Sequence, residues 1–143
     1  MSKIKVCLSV LLIVVLALIG TYYANALKTK SLANDILSEV NFDKVKASFV
    51  IDSTRNKILD FDKNESDEIM GILKKVELKG VLNTPKTKDE YIIQVGGTGS
   101  AFLFNVSDDG FVKIDKKSDK YYKFVDKKLL GDLLNIIKKK HQK

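Results

Sequence analysis

The chain has 143 residues and a formal charge of +7, with 25 lysines and arginines against 18 aspartates and glutamates. One cysteine excludes an intrachain disulfide framework, and one histidine beside it leaves no residue set for a histidine triad or a zinc site. Among the basic residues only Arg55 is arginine, so the cations suit diffuse attraction to polyanions more than bidentate phosphate recognition, and dispersed lysines without a stacking motif argue against nucleic acid.

The N-terminus comes first in chain order and bounds the compartment. Lys3 and Lys5 precede an apolar run over residues 6–19, followed by Gly20-Thr21-Tyr22-Tyr23 and the small triplet Ala24-Asn25-Ala26. A positive n-region, an apolar h-region and an A-x-A-like site are the three parts of a secretory signal peptide. No charge occurs between Lys5 and Lys28, so an uncleaved segment is long enough to serve as a single membrane anchor. Cys7 lies at the start of the run, where a lipoprotein acylation site does not occur, and reads as a small hydrophobe. Residues 1–26 are therefore expected to be a signal peptide or uncleaved transmembrane anchor, with the remaining chain secreted or held at the cell membrane, facing outside.

Residues 27–41 read as a spacer or first helix, with Leu32, Ile36 and Val40 recurring every four residues and Ser31 as a cap. Val45, Ala47, Phe49 and Ile51 alternate with Lys44, Lys46, Ser48 and Val50, which predicts a half-buried strand. Ser53-Thr54-Arg55-Asn56 turns the chain into a second strand over residues 57–61. Asp62 and Glu65 have capping-box spacing, and Ile69, Ile72, Leu73 and Val76 form one apolar stripe of a helix over residues 65–76. Residues 78–82 predict a short edge strand weakened by Gly80. Residues 91–95, 101–106, 111–115 and 121–125 predict a meander with polar loops between them. Val112, Ile114, Tyr122 and Phe124 are assigned to its core face. A last helix over residues 127–139 buries Leu130, Leu133, Leu134 and Ile137. The expected fold is α+β: an antiparallel β-meander sheet with two or three amphipathic helices packed on one face, preceded by the apolar N-terminal helix. Residues 42–143 form its single domain.

Four features invite functional readings. Gly97 and Gly99 give G-x-G, but Phe102 stands at the third glycine position and a strand follows, so the segment reads as a hairpin turn. Asp60, Asp62 and Asn64 are spaced like the start of a calcium loop, yet Glu65 and Gly71 occupy the positions of its glycine and bidentate glutamate. Asp108-Asp109 sits in turn chemistry. His141 lies in Lys138-Lys139-Lys140-His141, where fraying is expected. No catalytic, cofactor-binding or metal residue is therefore assigned. Tyr91, Tyr121 and Tyr122 offer an aromatic face to a protein partner, and the basic tail offers contact with anionic wall polymer or lipid headgroups.

The order of leader, alternating strand, capped helix and lysine-rich meander closing in a Leu/Ile helix, over residues 42–76 and 91–137, resembles small exported or membrane-anchored domains of unknown function from low-G+C Gram-positive bacteria. The resemblance implies an exported α+β domain and carries no catalytic residue. The function expected is a non-enzymatic extracytoplasmic protein-binding or accessory domain; the alternative is a lysine-rich module associating with anionic envelope polymers or lipids.

Overall fold

The computed structural model describes residues 3–87, 90–115 and 119–142. Its first element, α1 (Lys3–Ala26), is 24 residues long with no residue buried. At 1.5 Å per residue that is about 36 Å, enough to cross a hydrocarbon core. By length and composition it fits a membrane span, and a signal sequence has the same character.

The rest is an α+β domain on one eight-stranded, wholly antiparallel, open sheet. In chain order the strands are β1 (Thr29–Ser31), β2 (Val45–Asp52), β3 (Lys57–Asp60), β4 (Glu77–Val81), β5 (Glu90–Gly97), β6 (Ser100–Ser107), β7 (Phe111–Asp115) and β8 (Tyr121–Phe124). In space they run β1-β4-β8-β7-β6-β5-β2-β3. The expected meander, β5 to β8, is the middle of the sheet, because short polar connections make successive strands neighbours. Part of the last connection, residues 116–118, lies outside the described residues. Thr98-Gly99 closes the β5–β6 hairpin, with Gly99 at φ +79°, a conformation that side chains with a Cβ resist.

Two helices, α2 (Lys63–Lys75) and α3 (Lys127–His141), share one core with a single face of the sheet. Asp62 starts α2 with a reciprocal box: its Oδ1 accepts from the Glu65 amide at 2.9 Å, and Glu65 Oε2 accepts from the Asp62 amide at 2.9 Å. That satisfies two helix-end donors. Asp126 caps α3, its Oδ1 accepting from the amides of Lys128 and Leu129. Ile69, Met70 and Leu73 of α2 and Leu133, Leu134 and Ile137 of α3 are buried against Val112, Ile114, Tyr122, Phe124 and the inward residues of β5 and β6. Full burial of such a side chain is worth about 1.5–3 kcal/mol.

Three expectations change. Residues 27–41 form neither spacer nor α-helix: β1 pairs with β4, and Leu32–Ile36 is one π-helical turn. Leu32, Ile36, Leu37 and Val40 are buried in the core, so the four-residue spacing recorded a packed face. The strand expected over residues 78–82 is also not an edge; as β4 it lies between β1 and β8. Finally, β2 changes face partway. Ala47 pairs with Val95 and Phe49 with the adjacent Gln94, leaving Ser48 as the extra residue of a bulge. Val45, Ala47, Val50 and Asp52 point inward, whereas Phe49 and Ile51 turn outward and stay half-buried.

Candidate functional site

The side of the sheet away from the helices divides into two unlike halves. On β3, β2 and β5, Ile58, Ile51 and Ile92 stand in one cross-strand row, because Ile51 pairs with both others. The adjacent row places Phe49, Gln94 and Leu103 side by side. Ile58 is 67% exposed and its neighbours are half-buried. The bulge at Ser48 creates this patch, since unbroken alternation would turn Phe49 and Ile51 into the core. The outer edge of β3 has no paired strand among the described residues, so backbone donors and acceptors border the apolar rows.

Toward the other edge the same face turns cationic and aromatic. Lys113 Nζ lies 5.8 Å from the centre of the Tyr121 ring, and Lys123 Nζ lies 5.1 Å from that of Phe111. Lys79 pairs with Lys123 across β4 and β8. Ring quadrupoles attract these ammonium groups, which holds them along the strands. The expected tyrosine face is not assembled: Tyr91 and Tyr122 are buried on the helix side, and only Tyr121 stands outward.

His141 is not on a frayed tail. α3 continues through it, and its side chain is 7% exposed against a 2%-exposed Asp52 carboxylate. Nε2 lies 3.0 Å from Asp52 Oδ2, outside hydrogen-bond alignment, and Nδ1 has no hydrogen-bond partner among the described residues. Asp52 Oδ1 accepts from the amides of Thr54 and Arg55, both at 3.0 Å, forming the β2–β3 turn. Asp52 therefore ties the end of α3 to the turn beneath the apolar half. Its inward position follows from the bulge. Helical periodicity continuing to the C-terminal lysines was the one signal that could have placed His141.

The remaining candidates resolve into structural contacts. Asp62 is a helix cap, as its hydrogen bonds require. Among the described residues, no three His, Cys, Asp or Glu side chains group in a way that could hold a metal ion. Asp108 meets Lys138 at 3.2 Å, and Lys140 meets Glu65 at 2.7 Å. Two lysines of the basic tail are thus tied back to the domain; Lys143 lies outside the described residues. Lys74 Nζ donates to Asp43 Oδ1 at 2.6 Å, and this hydrogen bond, with the lysine's charge, holds the Asp43 carboxyl below its usual pKa of 3.8. A groove of about 440 Å³ between α2 and α3 carries Glu68, Lys75, Asp132 and Lys139, an alternation of charge typical of a solvated helix surface.

No family model, curated protein or solved structure matches the chain. Function is read from the two halves of the outer face.

Proposed function

We propose that this is a non-enzymatic, extracytoplasmic protein-binding or accessory domain, either secreted or held at the membrane by α1. It docks an envelope or secreted protein on the β3–β2–β5 half of the outer face. The observation that carries the reading is the apolar row Ile58, Ile51 and Ile92, exposed at Ile58 and half-buried at the other two, beside a β3 edge with no paired strand among the described residues. A partner that adds an extended segment along β3 gains main-chain hydrogen bonds from the edge and side-chain contacts from the row. Among the described residues the inward face is filled by the helices and the π-helical turn. The resemblance to exported Gram-positive domains supports the same compartment.

Capture from an envelope fraction by immobilised residues 27–143 tests the docking. A specific partner should bind the wild type at micromolar concentration, disappear with Ile58→Lys and persist with Lys123→Gln. Binding that ignores Ile58→Lys sinks the surface assignment. A mass measurement of the native N-terminus decides between secretion and tethering: a start at Leu27 gives a free domain, and an intact Met1 or Ser2 an anchored one.

The cationic half favours a second reading, association with anionic envelope polymers or lipids. Its signature is binding that weakens steeply with salt, because exposed charges are screened. Retention that is unchanged from low to high salt contradicts it.

A further inference from the structure

At the sheet edge opposite β3, α1 is seated directly on the domain. A Cβ at Gly80 would stand 1.8 Å from the Ala26 carbonyl oxygen, so the last turn of α1 rests on β4 where only glycine leaves room. Leu27 and Lys28 alone separate α1 from β1. Between the helix end and the sheet edge lies a cavity of about 400 Å³, whose lining includes Tyr22, Asn25, Lys30, Thr84, Lys120 and Tyr121. Lysine ammonium groups bind phosphate as point charges, and amide and hydroxyl groups add donors around them. Lys120 Nζ also lies 5.8 Å from the centre of the Tyr122 ring. Among the described residues one carboxylate, Asp119, lines the cavity, and Lys113 Nζ lies 3.5 Å from its Oδ1, so a cation already offsets that charge.

The position of the cavity is as informative as its lining. Tyr22 is four residues before the end of α1, about 6 Å along the helix axis. Of the lining residues, Tyr22 is 70% and Leu82 51% exposed; Tyr23 and Leu27, at the same end of α1, are also exposed. Aromatic side chains beside lysines at the end of an apolar span mark the headgroup level of a bilayer.

We propose that this cavity binds the phosphate of an anionic lipid headgroup between Lys30 and Lys120, with Leu27 and Leu82 set into the acyl boundary beside it. The proposal deepens the lipid reading and rests on α1 being retained, because cleavage after Ala26 removes Tyr22, Asn25 and Ala26 from the wall. The bound lipid would fix the domain's tilt and turn the β3 edge away from the bilayer. Cavity size favours this occupant, since a headgroup fits where a strand or helix of another protein does not.

The test reconstitutes the full-length chain in nanodiscs of mixed phosphatidylcholine and phosphatidylglycerol and counts retained lipid by native mass spectrometry. Wild type should retain phosphatidylglycerol selectively. The pair Lys30→Gln and Lys120→Gln should lose about thirtyfold of that retention, on the scale of two lysines at an anionic surface. The pair Lys46→Gln and Lys57→Gln, at the far edge, should keep it. Lys30→Arg with Lys120→Arg preserves charge and should also keep it, which separates lost charge from lost folding. Equal loss in the near and far glutamine pairs, no loss in the near pair, or loss in the arginine pair each overturns the site. Displacement by an equal concentration of glycerophosphate would assign the cavity to a free anion and overturn the headgroup. A native N-terminus at Leu27 would defeat the anchor while the nanodisc result still judged the cavity; failed retention with an intact leader would defeat the cavity alone.

Discussion

The two ends of the outer sheet face differ in chemistry because they differ in what lies beside them. At the β4–β8 end, within reach of α1, the exposed side chains are lysines laid over aromatic rings. At the β3–β2–β5 end the outward side chains are isoleucines and a phenylalanine, exposed at Ile58 and half-buried at Ile51, Ile92 and Phe49. Seven strand spacings of about 4.8 Å put the outermost strands roughly 34 Å apart, so a bilayer touching one end leaves the other free. One sheet can thus present a cationic margin to a charged surface and an apolar margin to a protein. One backbone detail sets up the contrast, the Ser48 bulge, which turns Phe49 and Ile51 outward; Gly80, on the helix side of β4, admits the end of α1.

The strongest expected effect removes the support under the apolar half. Asp52→Ala leaves two turn amides without their acceptor and removes the carboxylate beside His141, and should cost residues 27–143 about 2–3 kcal/mol in urea unfolding. His141→Ala should cost less, about 1–2 kcal/mol, because the turn keeps its hydrogen bonds. Equal, negligible losses would mean that the buried pair does not hold α3 to the turn. At the cationic end, Gly80→Ala should destabilise the full-length chain by about 1–3 kcal/mol through its clash with the Ala26 carbonyl. The same substitution should be near neutral in residues 27–143, where Ala26 is gone. A penalty of similar size in both forms would show that α1 does not rest on β4.

A pH experiment addresses the chain that leads into β2. The folded Asp43 carboxyl sits below 3.8 through Lys74, so the charged form is favoured by folding. Its stabilisation is full above the ordinary carboxylate pKa and disappears as pH falls through the lowered folded value. Asp43→Asn should therefore lower the melting temperature slightly at neutral pH and leave it unchanged in strong acid. A difference that persists in acid would remove Lys74 as the cause. The smallest effect on stability belongs to the surface itself. Ile58→Lys should move unfolding by no more than about 0.5 kcal/mol, since Ile58 is exposed, while abolishing partner capture. A large loss of stability would mean that Ile58 serves the fold and not a partner.

Local patterns carried most of the architecture. Alternation in residues 111–115 and 121–124 identified Val112, Ile114, Tyr122 and Phe124 as inward, and all four are buried. The Asp62–Glu65 spacing located the start of α2 because capping is a contact between near neighbours. Features set by distant contacts were hidden. The bulge in β2 answers to its register with β5, so simple alternation showed neither the change of face at Phe49 and Ile51 nor the inward Asp52. Leu32 and Ile36 had helical spacing, but β1 pairing and the core confine them to one π-helical turn. His141 looked terminal because sequence distance from the chain end says nothing about a helix packed back onto the sheet. The candidate sites followed the same division: the hairpin glycines and the Asp62 cap were legible, and the apolar row, assembled from three strands, was not.

A photo-crosslinking residue placed at position 58 and, separately, at position 123 of the full-length chain tests the division of the outer face most directly. In a native envelope, position 58 should give discrete protein adducts of defined mass, and position 123 should give lipid or polymer adducts that fade as salt is raised. The same adducts at both positions, or none from position 58, would contradict a sheet whose two ends meet different surfaces.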